Sequence, residues 1–362
     1  MAEKWEQNVL GFVSEADWLN VGFNVTRQND PIDTLFGDEK TDNLMAKWQT
    51  IAAEYQIPMM AQFHGFDTET QQTFRVPVDN HNIEKGLIKT KINQSERLRA
   101  LLRSGIKEDA LFEYVINDGA RLAEEVFTRT KVAKNELMAT GQITIKENNI
   151  DTTVDFGVPA DQKDEEIDFG AGASTDVPSQ LQAIVDKSKE VGQPINGMLL
   201  SGANLSKIRQ NTAIQKAVNG NIGVGALVRM DALEDYLRIE YGIERIITND
   251  LRYGASHTIG SDGRPVVNAK RYFPDNKISF FCANAGGKMG VGLWGDPPEV
   301  TVPQSLAQNI SGEASVSPYV YISQYIEDDP AVLWTRASAL FMPVLYNPNS
   351  LWIATTKSTP AA

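Results

Sequence analysis

Apolar positions recur at intervals of three and four between residues 107 and 140. Leu111, Val115, Gly119, Leu122, Val126, Ala133 and Leu137 share one stripe in a span with no proline and a single glycine. That period predicts an amphipathic helix over 107–140, and Gly141 supplies the residue that can end it. At about 1.5 Å per residue the helix spans on the order of 50 Å, far beyond the usual three turns. Period two then takes over on both sides of Asn148-Asn149, predicting a hairpin with strands over 142–146 and 152–156. The densest apolar stretch comes last. From Tyr319 to Thr355 it is punctuated by Asp328-Asp329-Pro330 and Asn347-Pro348, which predicts two or three strands. So apolar a segment must be buried, and the long helix is the best receiver for it.

Elsewhere the pattern is patchier. Residues 1–40 scatter Trp5, Leu10, Phe12, Trp18, Leu19, Phe23, Leu35 and Phe36 among Asn, Asp, Gly and Pro, which reads as an extended arm that has to dock. Thr41 or Asp42 can cap a short helix running to about Tyr55, with Leu44, Trp48, Ile51 and Ala52 on one face and Pro58 as its stop. Residues 59–91 predict a polar two-stranded ribbon around a turn near 67–72, with His64, Arg75 and Lys89 open to solvent. A ribbon with so little apolar surface needs a neighbour to lean on. An acidic, glycine-rich stretch (Asp161, Asp164, Glu165, Glu166, Asp168, Gly170, Gly172) predicts a domain boundary. Beyond it come helices over 178–190, 204–218 and 231–241 and strands over 198–201, 244–248 and 278–282, a mixed sheet with flanking helices. Residues 295–318, rich in Pro, Ser and Gly, lead back toward the long helix.

Composition narrows the function classes. The 362 residues carry 34 Lys and Arg against 47 Asp and Glu, a formal charge of -13. The basic footprint of a DNA-gripping protein is absent. The one cysteine, Cys282, excludes an intrachain disulfide framework, and its flanks Phe280-Phe281 and Ala283 predict a buried, inert thiol. The first ten residues lack the order of a secretory leader and no stretch is apolar enough for a membrane span, so a soluble product is expected.

Candidate chemistry is sparse. His64, His81 and His257 are the only histidines and fall in expected loops or ribbon, without metal-ligand spacing. Gly220-Asn221-Ile222-Gly223-Val224-Gly225 follows a helix instead of a strand, and Gly286-Gly287-Lys288-Met289-Gly290 lacks the Walker spacing; tight turns explain both. No Gly-x-Ser-x-Gly elbow occurs. The carboxylates at 164–168 read as a solvated linker, and the Trp and Phe residues do not alternate with basic ones as a base-stacking platform requires. No catalytic, cofactor-binding or metal-ligating residue is expected.

Three stretches carry a more specific signal. They are Asp118-Gly119-Ala120-Arg121-Leu122 through Gly141-Gln142-Ile143-Thr144-Ile145 with Val154-Asp155-Phe156-Gly157-Val158-Pro159; Tyr272-Phe273-Pro274-Asp275-Asn276-Lys277-Ile278; and residues 329–355 with Pro343-Val344-Leu345-Tyr346-Asn347-Pro348-Asn349-Ser350-Leu351-Trp352. In these, and in the order of its parts from about Ile57 onward, the chain resembles the phage lambda head protein (capsid protein E) family of tailed-phage major capsid proteins.

The resemblance implies an α+β fold of the Hong Kong 97 type. Its parts would be an N-terminal arm and short helix over 1–55, an extended β-hairpin loop over 56–94 lying on an adjacent subunit, and a peripheral domain with its spine helix over 95–175. An axial domain over 176–300 would meet its copies at the centres of hexamers and pentamers, and 301–362 would return to the peripheral domain. Implied too are polymerisation into an expanding icosahedral shell around packaged DNA held without sequence specificity, and no catalysis. Implied partners are further copies of the chain, a separate scaffold protein, a portal protein and an optional decoration protein, with no membrane. Assembly would occur in the host cytoplasm and the product would reside in the virion. Expected inter-subunit contacts are Phe63, His64, Arg75, Lys89 and Lys91 in the loop and Trp5, Trp18 and Phe23 in the arm. An acidic wall suits such a container, because a basic one would hold DNA by counterion release and resist its sliding. On the residues alone two rivals stay open: an α/β phosphate-binding enzyme on 176–300, which predicts a monomer or small oligomer, and a tail or baseplate protein, which predicts tubes or rings.

Overall fold

In chain order the polypeptide forms β1 (Phe36–Lys40), β2 (Met45–Thr50), β3 (Asp79–Glu84), β4 (Gly86–Gln94), α1 (Glu108–Thr140), β5 (Gln142–Glu147), β6 (Ile150–Asp155), α2 (Ala160–Lys163), β7 (Glu165–Asp168) and α3 (Val177–Glu190). It continues through β8 (Gly197–Leu200), α4 (Gly202–Gln210), α5 (Thr212–Asn219), α6 (Met230–Tyr241), β9 (Arg245–Thr248), β10 (Arg252–Ile259), β11 (Pro265–Arg271), β12 (Lys277–Phe281), β13 (Gly290–Gly295), β14 (Ile310–Val316), β15 (Val320–Asp328), β16 (Ala331–Leu345) and β17 (Leu351–Lys357). The structure, a computed structural model, describes residues 29–51, 55–57, 60–61, 63–64, 66, 75–94, 108–170, 175–220, 225–259, 265–301, 310–316, 319–328 and 331–357.

The long stripe folds as expected. α1 runs 33 residues, with Leu122, Val126, Ala133 and Leu137 buried along it. Gly141 stops it at a φ of +71°, donating its N–H to the Leu137 carbonyl. Only glycine takes that left-handed turn without strain. The β5–β6 hairpin turns on Asn148 and Asn149 at φ of 50° and 66°, the left-handed pair a two-residue hairpin needs.

The apolar C-terminal segment lies where the sequence placed it, against α1. β16, 15 residues long, is the axis of one sheet, ordered β1-β13-β16-β15-β14 with β4 on the other edge of β16. Side chains alternate across it. Ile88, Ile92, Ile322, Ala337, Ala339 and Phe341 enter the α1 core, while Lys89, Lys91, Ser323, Tyr325, Trp334 and Arg336 share the opposite face by strand register.

A second, mixed sheet has the order β7-β17-β12-β8-β9. Met198, Leu200, Ile278, Phe280, Trp352 and Ala354 point into a core with α3, α4, α5 and α6. Leu199, Ile247, Phe281, Leu351 and Ile353, one step out of phase, join the α1 core instead. With both faces covered, these strands read as near-continuous apolar runs. Ser279 Oγ donates to the Met138 carbonyl at 2.6 Å, tying β12 to the last turns of α1.

Several expectations need correction. Residues 45–50 form β2, not a helix: Ala46 and Trp48 turn inward, Lys47 and Gln49 outward, and pairing with β3 satisfies the backbone. That pairing overrides helical propensity. The return side of the ribbon is part of the body, since β3 pairs with β2 and β4 with β16; the turn at 67–72 lies outside the described residues. The acidic stretch is not a loose linker, because β7 pairs in parallel with β17 and buries Ile167. The single helix over 204–218 is two, since the Asn211 side chain accepts from the Ala213 and Ile214 N–H groups at 3.1 and 3.2 Å and caps α5. The β10–β11 hairpin was not foreseen. Near residue 300 the sheets interlace: β13 joins the β16 sheet and β17 the mixed one.

Candidate assembly surfaces

Residues 51–78 connect β2 to β3, the segment expected to form the ribbon, and the part next to β2, its root, is pinned by amides. Gln56 Nε2 donates to the Ile51 carbonyl at 2.8 Å, and Gln193 Nε2, just past α3, donates to Gln56 Oε1 at 2.8 Å. Asn349 Nδ2 reaches the Ile51 carbonyl at 2.9 Å. Past this root Met60, Phe63 and Phe66 are 88%, 106% and 102% exposed. None of the described residues covers them. His64 and Arg75 are exposed as expected. His81 is not a solvated loop histidine: it stacks on Trp48 at 5.3 Å and lies 2.8 Å from Thr50 Oγ1.

Lys89 and Lys91 lie on β4, which pairs with β16, and each has partners within the chain. Lys89 Nζ is 2.5 Å from Glu299, which also faces Arg336 at 3.7 Å. Burial works to raise the Glu299 pKa, but the Lys89 hydrogen bond and the neighbouring positive charges hold it below the usual carboxylate range. Lys91 Nζ sits 3.9 Å from the centre of the Trp334 ring and 3.4 Å from the Tyr325 hydroxyl. Tyr325 and Trp334 stack at 6.4 Å, Arg336 lies over Tyr325 at 5.6 Å, and Trp334 Nε1 donates to Glu327 at 2.8 Å. Strand pairing thus assembles an aromatic and cationic row that is scattered in sequence.

The arm is anchored from Asp30 onward, while Trp5, Trp18 and Phe23 lie outside the described residues. The Asp30 carboxylate, fully buried, accepts from the Ile32 N–H and Asn249 Nδ2, both at 2.9 Å, and from Asn135 Nδ2 at 3.4 Å. Burial raises its pKa. Lys134, 2% exposed, reaches Asp33 and Asp38 at 3.1 Å each, and Trp294 Nε1 donates to Asp38 at 3.0 Å. Leu35 and Phe36 complete the dock in the α1 core. Sequence reading missed this anchor. Its signal was Lys131, Lys134 and Asn135 at helical spacing among buried positions, which calls for carboxylate partners.

Gly286–Gly290 is a tight turn in which Asn284 Oδ1 accepts from the Gly286 and Lys288 N–H groups, and Lys288 Nζ is spent on the Asp33 and Phe36 carbonyls. In the other glycine-rich motif, residues 221–224 lie outside the described residues. Among the described residues no group of His, Cys, Asp and Glu is arranged to hold a metal, and no helix is long and apolar enough to cross a membrane. Cys282 is half-buried, which pushes its thiol pKa up.

This architecture is that of phage capsid proteins. It is similar to a phage-related protein from Bordetella bronchiseptica RB50 (TM-score 0.51, 10% identity, 95% of this chain and 97% of that one). It is also similar to a protein described as a capsid protein of an E. coli CFT073 prophage (TM-score 0.53, 14% identity, 95% of this chain and 99% of that one). The fold is α+β and is shared with these two proteins. The phage major capsid protein E family matches residues 87–356, and the chain belongs to that family. It is therefore a structural protein of the virion that assembles with its own copies into the capsid shell. No curated protein matches the sequence.

Proposed function

We propose that the shell is a closed icosahedral lattice of hexamers and pentamers around packaged double-stranded DNA, in which each ribbon lies on an adjacent subunit. One observation carries this reading: Met60, Phe63 and Phe66 stand bare on a ribbon whose root is fixed. Three large apolar side chains exposed to water within seven residues mark a surface completed by a partner. The α1-backed sheet acts as the peripheral domain and the mixed-sheet unit as the axial domain meeting its copies at capsomer centres. A separate scaffold protein, a portal protein and an optional decoration protein complete the particle, assembled in the host cytoplasm.

Replacing residues 58–77 by a short Gly-Ser linker tests this, because it spares β3 and β4, which the body needs. Folded, soluble subunits that no longer close into shells are expected. Normal particles by negative-stain microscopy would refute the reading.

A further inference from the structure

The outer face of the β16 sheet has chemistry that folding alone does not call for. Lys91, Trp334, Tyr325 and Arg336 form a continuous row, partly open to solvent, on the side away from α1. We propose that this row receives Phe63 and Phe66 from the ribbon of a second copy of the chain. The proposal rests on the ribbon lying on a neighbour and names the place where it lands.

Reach puts the row at the limit of the chain's own ribbon, and Phe63 and Phe66 stand fully exposed instead of lying on it. Its root is held at Gln56 by Asn347, just beyond the end of β16, whereas Trp334 lies near the start of that strand. Trp334 and Leu345 are eleven residues apart, roughly 36 Å along the strand. Phe63 is seven residues past Gln56 and reaches at most about 25 Å; Phe66, ten past it, attains about 36 Å only fully extended along β16. A ribbon from another copy has no such limit.

Chemistry matches on both sides. The row offers aromatic surface to aromatic side chains, and ring pairs favour edge-to-face or offset contact. Its cations Lys89, Lys91 and Arg336 outnumber the carboxylates Glu299 and Glu327. Among the described residues Lys91 meets Trp334 and Tyr325 and no carboxylate, so its charge is open to an acidic partner. In the ribbon, Asp67 and Glu69 follow Phe66 against the single Arg75. Opposite net charge fixes register as well as attraction. A nucleic-acid strand fits less well, because Glu299 and Glu327 sit within the row and Trp334 already spends its N–H on Glu327. The rival acceptor for the phenylalanines is a hollow of about 350 Å³ lined by Met45, Trp48, Leu293, Val344 and Tyr346. It adjoins the ribbon's own root, and Phe63 and Phe66 leave it unfilled.

A photo-crosslinking phenylalanine analogue placed at position 63, and separately at 66, is irradiated in assembled shells and the joined peptides are identified by mass spectrometry. Intermolecular links to the segments around Tyr325 and Trp334 are expected. Links to another copy that land elsewhere, on the hollow for instance, overturn the proposal and leave the ribbon-on-neighbour reading intact. Well-formed shells with no intermolecular link overturn both. Lys91→Glu, an exposed change that spares the fold, should raise the critical concentration for assembly about tenfold. Unchanged assembly overturns the proposal, and normal assembly with poorer DNA retention assigns the row to nucleic acid instead.

Discussion

Gln56 and Asn347, 291 residues apart in sequence, exchange two amide hydrogen bonds: Gln56 Nε2 donates to Asn347 Oδ1 at 3.0 Å, and Asn347 Nδ2 donates to Gln56 Oε1 at 2.8 Å. With Gln193 and Ile51 on the same amide, the pair sets the direction in which the ribbon leaves the body. Gln56→Ala should leave the subunit folded, lowering stability by about 1 kcal/mol. Its effect belongs to the lattice: open, irregular or mis-sized particles by electron microscopy, beside a nearly unchanged urea midpoint. Uniform particles would mean that the amides do not steer the ribbon.

Lys134→Met removes the ammonium group that Asp33 and Asp38 share. Losing one partner of a buried pair destabilises by several kcal/mol, but both carboxylates keep some contact with water. A loss of roughly 2 kcal/mol is therefore expected. The segment over 29–40 should become protease-sensitive before the rest of the chain unfolds.

Gly290 leaves no room for a Cβ, which would meet the Val344 backbone oxygen and the Phe36 ring 2.8 Å away. A carbonyl held in the β13–β16 ladder cannot retreat like a flexible side chain. Gly290→Ala should destabilise by about 3 kcal/mol by forcing β1, β13 and β16 apart. A thermal melt of the unassembled subunit measures it.

Asp30 and Glu299 give pH dependence of opposite sign. Burial raises the Asp30 pKa, with Asp33 adding to the rise and Lys131 opposing it. Its contribution to stability is fully present below the unfolded-chain pKa and is lost as pH rises through the higher folded value. Glu299 is depressed, so its contribution is present above the unfolded-chain pKa and lost as pH falls through the lower folded value. Urea midpoints measured from about pH 3 to 7 should show Asp30→Asn gaining on the parent as pH rises. Glu299→Gln should converge with the parent as pH falls. Parallel curves would contradict both assignments.

What could be read from the chain followed local pattern. α1, its stop at Gly141, the Asn148-Asn149 hairpin and the strands of the apolar C-terminal segment were legible because period, cap and turn chemistry agree there. β2 was misread because Leu44, Trp48 and Ile51 satisfy a helical spacing over too short a window, and β3, which decides the matter, lies about thirty residues downstream. The candidate site divided likewise. Exposure of His64, Arg75 and Lys89 followed from a ribbon too polar to fold on itself. The Lys91–Trp334 contact and the Lys134 anchor join residues more than ninety positions apart, and no local rule pairs them.

The last turns of α1 are packed from two sides, by the β16 sheet and by the out-of-phase residues of the mixed sheet, with the Met138 carbonyl bonded across to Ser279. Neither half can be excised whole, since the same helical surface finishes both interiors. Heating should accordingly give a single cooperative transition, and limited digestion should release no long-lived half-molecule.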